Sequence, residues 1–206
     1  MTGTGGGYRE LWLTAQDGLK LYFRDYQPPG GVTGGGPAAS ATPVLCLPGV
    51  SRNSKDFAPL AQRLSQGRRV ICPDYRGRGR SQYAPDWRHY HPPVYVDDIR
   101  HLLCALGVHR VHVIGTSLGG ILAMVMAVAM PGTVAGAVLN DIGPEIDISG
   151  LAKIIDYLSD DTPLPDWDAV VGRLHHNRAT QTAGHGLCQM ITARAGRGFR
   201  LRPGLV

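Results

Sequence analysis

The sequence contains no stretch able to cross a bilayer. Its longest apolar run, Ile121–Met130, has ten residues, against the roughly 20 that a membrane helix needs. The opening MTGTGGGYRE lacks the basic start and apolar stretch of a secretory signal. Cysteine is scarce: Cys46, Cys72, Cys104 and Cys188 stand at no CxxC or other metal-ligand spacing, so free buried thiols are expected and no metal site. Acidic residues vanish after Asp168. Residues 169–206 hold six Arg and no Asp or Glu, whereas residues 1–168 hold 15 basic and 16 acidic side chains. The overall charge of +5 is therefore −1 in the body and +6 in the tail. A basic excess raises nucleic acid or an anionic membrane as partner. The tail has Phe199 as its lone aromatic and shows no nucleic-acid module, so neither partner is expected. A cytoplasmic protein is the reading that remains.

What is present suits one loop-rich globular domain: 206 residues, 43% hydrophobic and 18% charged, with 28 Gly and 15 Pro. Glu10–Ala15 and Lys20–Gln27 alternate polar and apolar residues around Asp17-Gly18, the pattern of a half-buried hairpin. Pro28–Pro43 is a Gly/Pro/Ala-rich loop. A repeated theme of apolar strand, turn and helix follows. Strands are expected at Val44–Leu47, Arg69–Pro73, Val111–Gly115 and Val134–Asn140, with helices at Phe57–Leu64, Val94–Leu106 and Leu118–Met130. Such alternation predicts an α/β fold, a mostly parallel sheet flanked by helices and begun by an antiparallel hairpin. Ligands in these sheets sit beyond the carboxyl ends of the strands. Pro48–Asn53, Asp74–Ser81, Thr116–Gly120 and Asp141–Glu145 should then form one rim. Further helices are expected at Ser149–Leu158 and Asp166–Leu174, and no strand after Asn140.

Three rim segments carry chemistry. Gly115-Thr116-Ser117-Leu118-Gly119 matches G-x-S-x-G between a strand and an apolar helix. A strained turn there lifts the Ser117 hydroxyl above the sheet, and Gly115 and Gly119 leave room for it. The ordinary alternative is a serine capping a helix. Leu45-Cys46-Leu47-Pro48-Gly49-Val50 ends a strand in a turn that presents the Val50 amide. With the Leu118 amide it would make a two-donor oxyanion hole. Asp74-Tyr75-Arg76-Gly77-Arg78-Gly79-Arg80-Ser81 follows the next strand. Its arginines are expected to pair with Asp74 and nearby carboxylates in a structural loop, rather than to contact phosphate.

In this order LCLPGV, DYRGRGRS, GTSLGG and LNDIGPEI resemble the α/β-hydrolase fold superfamily, over a stretch from the hairpin to about Asp161. Within it the chain looks like the bacterial serine esterases and enol-lactonase-like hydrolases. The resemblance implies Ser117 as nucleophile, Val50 and Leu118 as oxyanion donors, and Asp74–Ser81 as scaffold. The substrate would be a small carboxylic ester or lactone, with no cofactor. Pro48-Gly49 stands where the family commonly has His-Gly, which keeps the amide and loses a side-chain contact.

The serine also needs a base and an acid, in the order Ser, Asp or Glu, His. The family places both after the last two strands, and about two further βα units have no room here. The resemblance is thus to a member truncated at its C-terminus or shifted in frame, lacking the last strands. Asp141, ending the strand after the nucleophile helix, is the candidate acid, or otherwise a loop carboxylate. His175, His176 and His185 lie downstream of Ser117. None follows a recognisable strand, and His185 in Gly184-His185-Gly186 is carried forward as candidate base. The organisation expected is a hydrolase core over 1–145, a partial helical cap over 146–168 and a basic tail over 169–206. The acid-free tail is what a shifted frame of a GC-rich gene yields, which would place the loss of frame between about Trp167 and Thr182. Two other readings stand beside the serine hydrolase: a catalytically dead member without the triad histidine, and a basic-tailed binding module. A sheet missing its final strands would expose an apolar edge and invite self-association.

Overall fold

Polar and apolar alternation sets up the first hairpin in the computed structural model. It describes residues 4–5, 7–31, 41–143, 145, 166, 191–194 and 197–201. After a two-residue strand β1 (Thr4–Gly5), strands β2 (Tyr8–Thr14) and β3 (Lys20–Tyr26) pair antiparallel, with Leu11 opposite Phe23 and Leu13 opposite Leu21. The turn between them uses Gly18 at a φ of 86°, and the Asp17 carboxylate accepts the Leu19 amide at 3.2 Å.

The central strands are apolar at every position because both of their faces are covered. In β4 (Val44–Leu47) and β5 (Val70–Pro73) all eight residues are buried. Leu45, Leu47 and Ile71 enter one core with Val111, Val113 and Leu139, packed under helices α2 (Pro92–Ala105) and α3 (Leu118–Ala129). Val44, Cys46, Val70 and Cys72 point to the other face, against Tyr26, Phe57 and Ala61. Ala61 belongs to the short helix α1 (Ala58–Leu64), which follows a 3-10 turn whose Asn53 side chain accepts the Lys55 amide. Strands β6 (Val111–Thr116) and β7 (Val134–Asn140) complete the parallel part.

Among the described residues the sheet has nine strands in the order β1-β2-β3-β5-β4-β6-β7-β8-β9, antiparallel as far as β5 and parallel from β5 to β7. The chain moves from β4 to β5 on one side and then crosses back to β6 on the other. That reversal makes the carboxyl end of β4 a switch point, the place where such sheets leave a crevice for ligands.

Two expectations change. Strands do occur after Asn140: β8 (Ile191–Arg194) pairs antiparallel with β7, Val138 opposite Thr192, and β9 (Arg197–Leu201) pairs with β8. Their residues, ITAR and RGFRL, are short and arginine-rich, so their own pattern carries little strand signal, and pairing with β7 supplies it. Strand β8 thereby lies along the edge of β7. Cys104, expected to be buried, is exposed on α2, whose inward residues are Tyr95, Val96, Ile99, Leu102 and Leu103; Cys46 and Cys72 are buried and free. The helices expected at 149–158 and 166–174 and the 146–168 cap fall on residues outside the described ones, apart from Asp166. Among the described residues no helix is long and apolar enough to cross a membrane, and no group of metal-binding side chains is found.

Candidate active site

The turn from β6 into α3 holds Ser117 in a conformation that side chains rarely take. Its φ is 50° and ψ −114°, and Ser117 and Asp141 are the two non-glycine residues with positive φ among those described. That strain is stabilised from three sides. The Ser117 amide donates to the Asn140 carbonyl at 3.0 Å, and the Ser117 carbonyl accepts the Gly120 and Ile121 amides at 2.8 and 3.1 Å. The serine side chain makes no capping bond to its helix, so the ordinary cap reading does not describe it. Two glycines make the turn sterically possible. A Cβ on Gly115 would collide with the Gly119 carbonyl, and a Cβ on Gly119 with the Leu47 carbonyl. The elbow is therefore pressed against the end of β4.

That contact brings the second segment to the serine. A Cβ built on Gly49 would stand 3.8 Å from the Ser117 Cβ and 3.9 Å from the Thr116 carbonyl oxygen. The Pro48–Val50 turn thus borders the Ser117 turn directly. The Gly49 carbonyl accepts the Arg52 amide at 3.1 Å, while neither the Val50 nor the Leu118 amide meets an acceptor among the described residues. Leu118 opens α3, where backbone donors are left over by the helix geometry and the helix dipole favours negative charge. Two backbone donors without an acceptor among the described residues therefore flank the strained serine.

The Asp74–Ser81 loop is the brace beneath this corner. Asp74 is buried, and its carboxylate accepts the Ser54 amide at 2.7 Å and the Arg80 amide at 2.9 Å. The Ser81 hydroxyl donates to the Asp74 carbonyl at 2.8 Å and accepts the Tyr22 amide at 2.9 Å, tying the loop to β3. The arginines do not pair with Asp74 as expected, because backbone amides occupy its oxygens. Arg76, only 2% exposed, binds Asp98 through two nitrogens and Asp17 through a third. Burial raises the Asp98 pKa despite Arg76; for Asp17 burial acts upward too, but the Arg76 and Leu19 hydrogen bonds outweigh it and the net shift is downward. Arg80 pairs with Glu10 at 2.6 Å. Arg78 reaches the Val50 carbonyl at 2.8 Å, and the buried Tyr75 hydroxyl donates to the Pro48 carbonyl at 3.0 Å. These two side chains lay inside a motif visible in the sequence, yet only the fold reveals what they hold.

Asp141 leaves β7 at the same rim. Thr116 and Asn140 are register partners, so Asp141 follows its strand as Ser117 follows β6. It is exposed, at a φ of 57°, and makes no hydrogen bond or ion pair among the described residues. His185, like His175 and His176, lies outside the described residues.

A family model described as the alpha/beta hydrolase fold matches residues 42–186. The chain belongs to the α/β-hydrolase fold family. The matched stretch continues past Asp161, where the motif resemblance ended, and takes in 167–182. Among curated relatives, a 3-hydroxybutyrate-oligomer hydrolase of Cupriavidus necator is 37% identical over 123 residues, covering 60% of this chain and 42% of that protein. The sn-1-specific diacylglycerol lipase ABHD11 of Danio rerio is 32% identical over 108 residues, covering 52% of this chain and 33% of that protein. The chain thus spans less than half the length of either. A crystal structure of an alpha/beta hydrolase from Novosphingobium aromaticivorans is similar with a TM-score of 0.72 and 42% identity, over 87% of this chain and 58% of that one.

Proposed function

We propose that this chain is a serine hydrolase of carboxylic esters or lactones, working through an acyl-enzyme on Ser117. The observation that carries the reading is the strained Ser117 turn bordered by the unsatisfied Val50 and Leu118 amides. Its Oγ would attack the substrate carbonyl carbon while the two amides hold the oxygen as it gains charge. The hydroxyl proton passes to a base and then to the leaving alkoxide. Water, deprotonated by the same base, releases the acid and restores the serine. Asp141 is proposed as the acid that orients the base, because it stands at the same rim after the adjacent strand. His185 is proposed as the base, and the family match extending to residue 186 favours a histidine from that stretch. The curated relatives, a 3-hydroxybutyrate-oligomer hydrolase and a diacylglycerol lipase, favour an ester substrate. A cytoplasmic location belongs to this reading.

The test is hydrolysis of a short-chain aryl ester by the purified chain beside Ser117→Ala. Turnover lost in the variant supports the reading. Absence of turnover in both favours the catalytically dead member, and salt-sensitive retention on nucleic acid would favour the basic-tailed binding module.

A further inference from the structure

Arg78 is the one arginine of the Asp74–Ser81 loop without a carboxylate partner among the described residues, since Arg76 takes Asp98 and Asp17, and Arg80 takes Glu10. All its recorded hydrogen bonds go to uncharged oxygens. Nε donates to the Val50 carbonyl at 2.8 Å, and Nη1 to the Tyr95 hydroxyl at 3.1 Å and the Arg76 carbonyl at 3.2 Å. Its guanidinium stands 5.5 Å from the centre of the Tyr90 ring and 5.8 Å from that of Tyr95. Tyr95 stacks on Tyr75 with centroids 5.2 Å apart, and Tyr75 donates to the Pro48 carbonyl. One aromatic bracket therefore reaches the turn at two points.

Those points flank the group that matters. The Pro48 carbonyl belongs to the peptide before Gly49, and the Val50 carbonyl to the peptide after Val50. Between them lies the Gly49–Val50 peptide, which carries the Val50 N–H. A planar trans peptide turns as one unit, and the glycine ahead of it resists rotation least. Pinning the two neighbouring peptides, with the Gly49 carbonyl held by the Arg52 amide, fixes where that N–H points.

We propose that Arg78 is a positioning residue: held by Tyr90 and Tyr95, it fixes the peptide after Val50 and so aims the Val50 N–H at the oxyanion. This rests on Val50 being an oxyanion donor, as argued above. A charged donor serves better than a neutral one because its hydrogen bond to the carbonyl is stronger. Lysine could keep the charge but not the planar fork that meets Val50, Tyr95 and Arg76 together.

The test compares the full chain with Arg78→Met and Arg78→Lys by aryl-ester kinetics, denaturant unfolding and hydrogen exchange of the 48–53 segment. The expected result for Arg78→Met is a kcat lower by about tenfold to a hundredfold, with KM little changed. Exchange in 48–53 quickens while the unfolding midpoint stays near that of the parent, and Arg78→Lys recovers part of kcat. A kcat within about twofold of the parent in Arg78→Met overturns the proposal. So does a loss that merely tracks the unfolding midpoint. If the parent shows no turnover that Ser117→Ala removes, the hydrolase reading fails by itself. Exchange then decides the positioning: faster exchange in 48–53 supports it, and unchanged exchange overturns it.

Discussion

The two sides of the Ser117 elbow are built differently. On the β4–β5 side, the Pro48–Val50 turn is held by Tyr75, Arg78 and the Arg52 amide, and the loop beneath it by the buried Asp74. On the β7 side, Asp141 is exposed, strained to a positive φ, and without a partner among the described residues. The side proposed to polarise a carbonyl is preorganised by elements that lie within about 80 residues of one another in the chain. The side proposed to move protons draws on a base from beyond residue 170. Preorganised donors cost no rearrangement during reaction, which is why rigidity concentrates on the first side.

Removing the proposed nucleophile is the largest expected effect. Ser117→Ala should lower aryl-ester turnover by roughly a thousandfold or more while the unfolding midpoint holds, as measured by kinetics and denaturant titration. Next comes the brace. Asp74→Ala leaves the Ser54 and Arg80 amides without their acceptor and should destabilise the fold by about 2–4 kcal/mol in urea unfolding. A stable Asp74→Ala protein would break the claim that this side is braced from below.

Asp141→Asn sharpens the contrast from the other side. Turnover should fall by about a hundredfold or more, while stability changes by less than about 0.5 kcal/mol because the residue is exposed. A large stability loss there would show that the β7 side is braced as well. The smallest effect lies at the periphery of the brace. Hydrogen bonds from Arg80 and then Tyr22 hold the Glu10 carboxyl below its ordinary range. Its contribution to stability is therefore present above the unfolded-state pKa and fades as pH falls through the lower folded one. Arg80→Met should move the Glu10 titration, followed by NMR, back toward the ordinary value and flatten that acid-side slope, through a small stability loss at neutral pH that vanishes in acid.

Much of this architecture was legible in order and pattern. The hairpin, the four strands Val44–Leu47, Val70–Pro73, Val111–Thr116 and Val134–Asn140, and the helices between them follow from period-two and helical apolar spacing. The elbow was legible because G-x-S-x-G falls between a strand and a helix. Arg78 was harder to place. Three arginines alternating with glycine look alike in sequence, and carboxylate pairing is the natural expectation for all of them. Strands β8 and β9 were illegible for a different reason, since ITAR and RGFRL acquire strand character from the edge of β7 rather than from their own apolar content.

The sequence by itself determined the fold family, the rim of loops beyond the strands and the identity of the strained serine, because local periodicity and turn residues encode these directly. It also localised the basic charge to the tail. Tertiary structure alone decided which backbone group each polar side chain holds. Asp74 takes amides rather than arginines, Arg76 bridges two carboxylates, and Arg78 grips the Val50 carbonyl. Those choices depend on which donors and acceptors the crossing of β4, β5 and β6 leaves unpaired, and spacing along a chain does not carry that information.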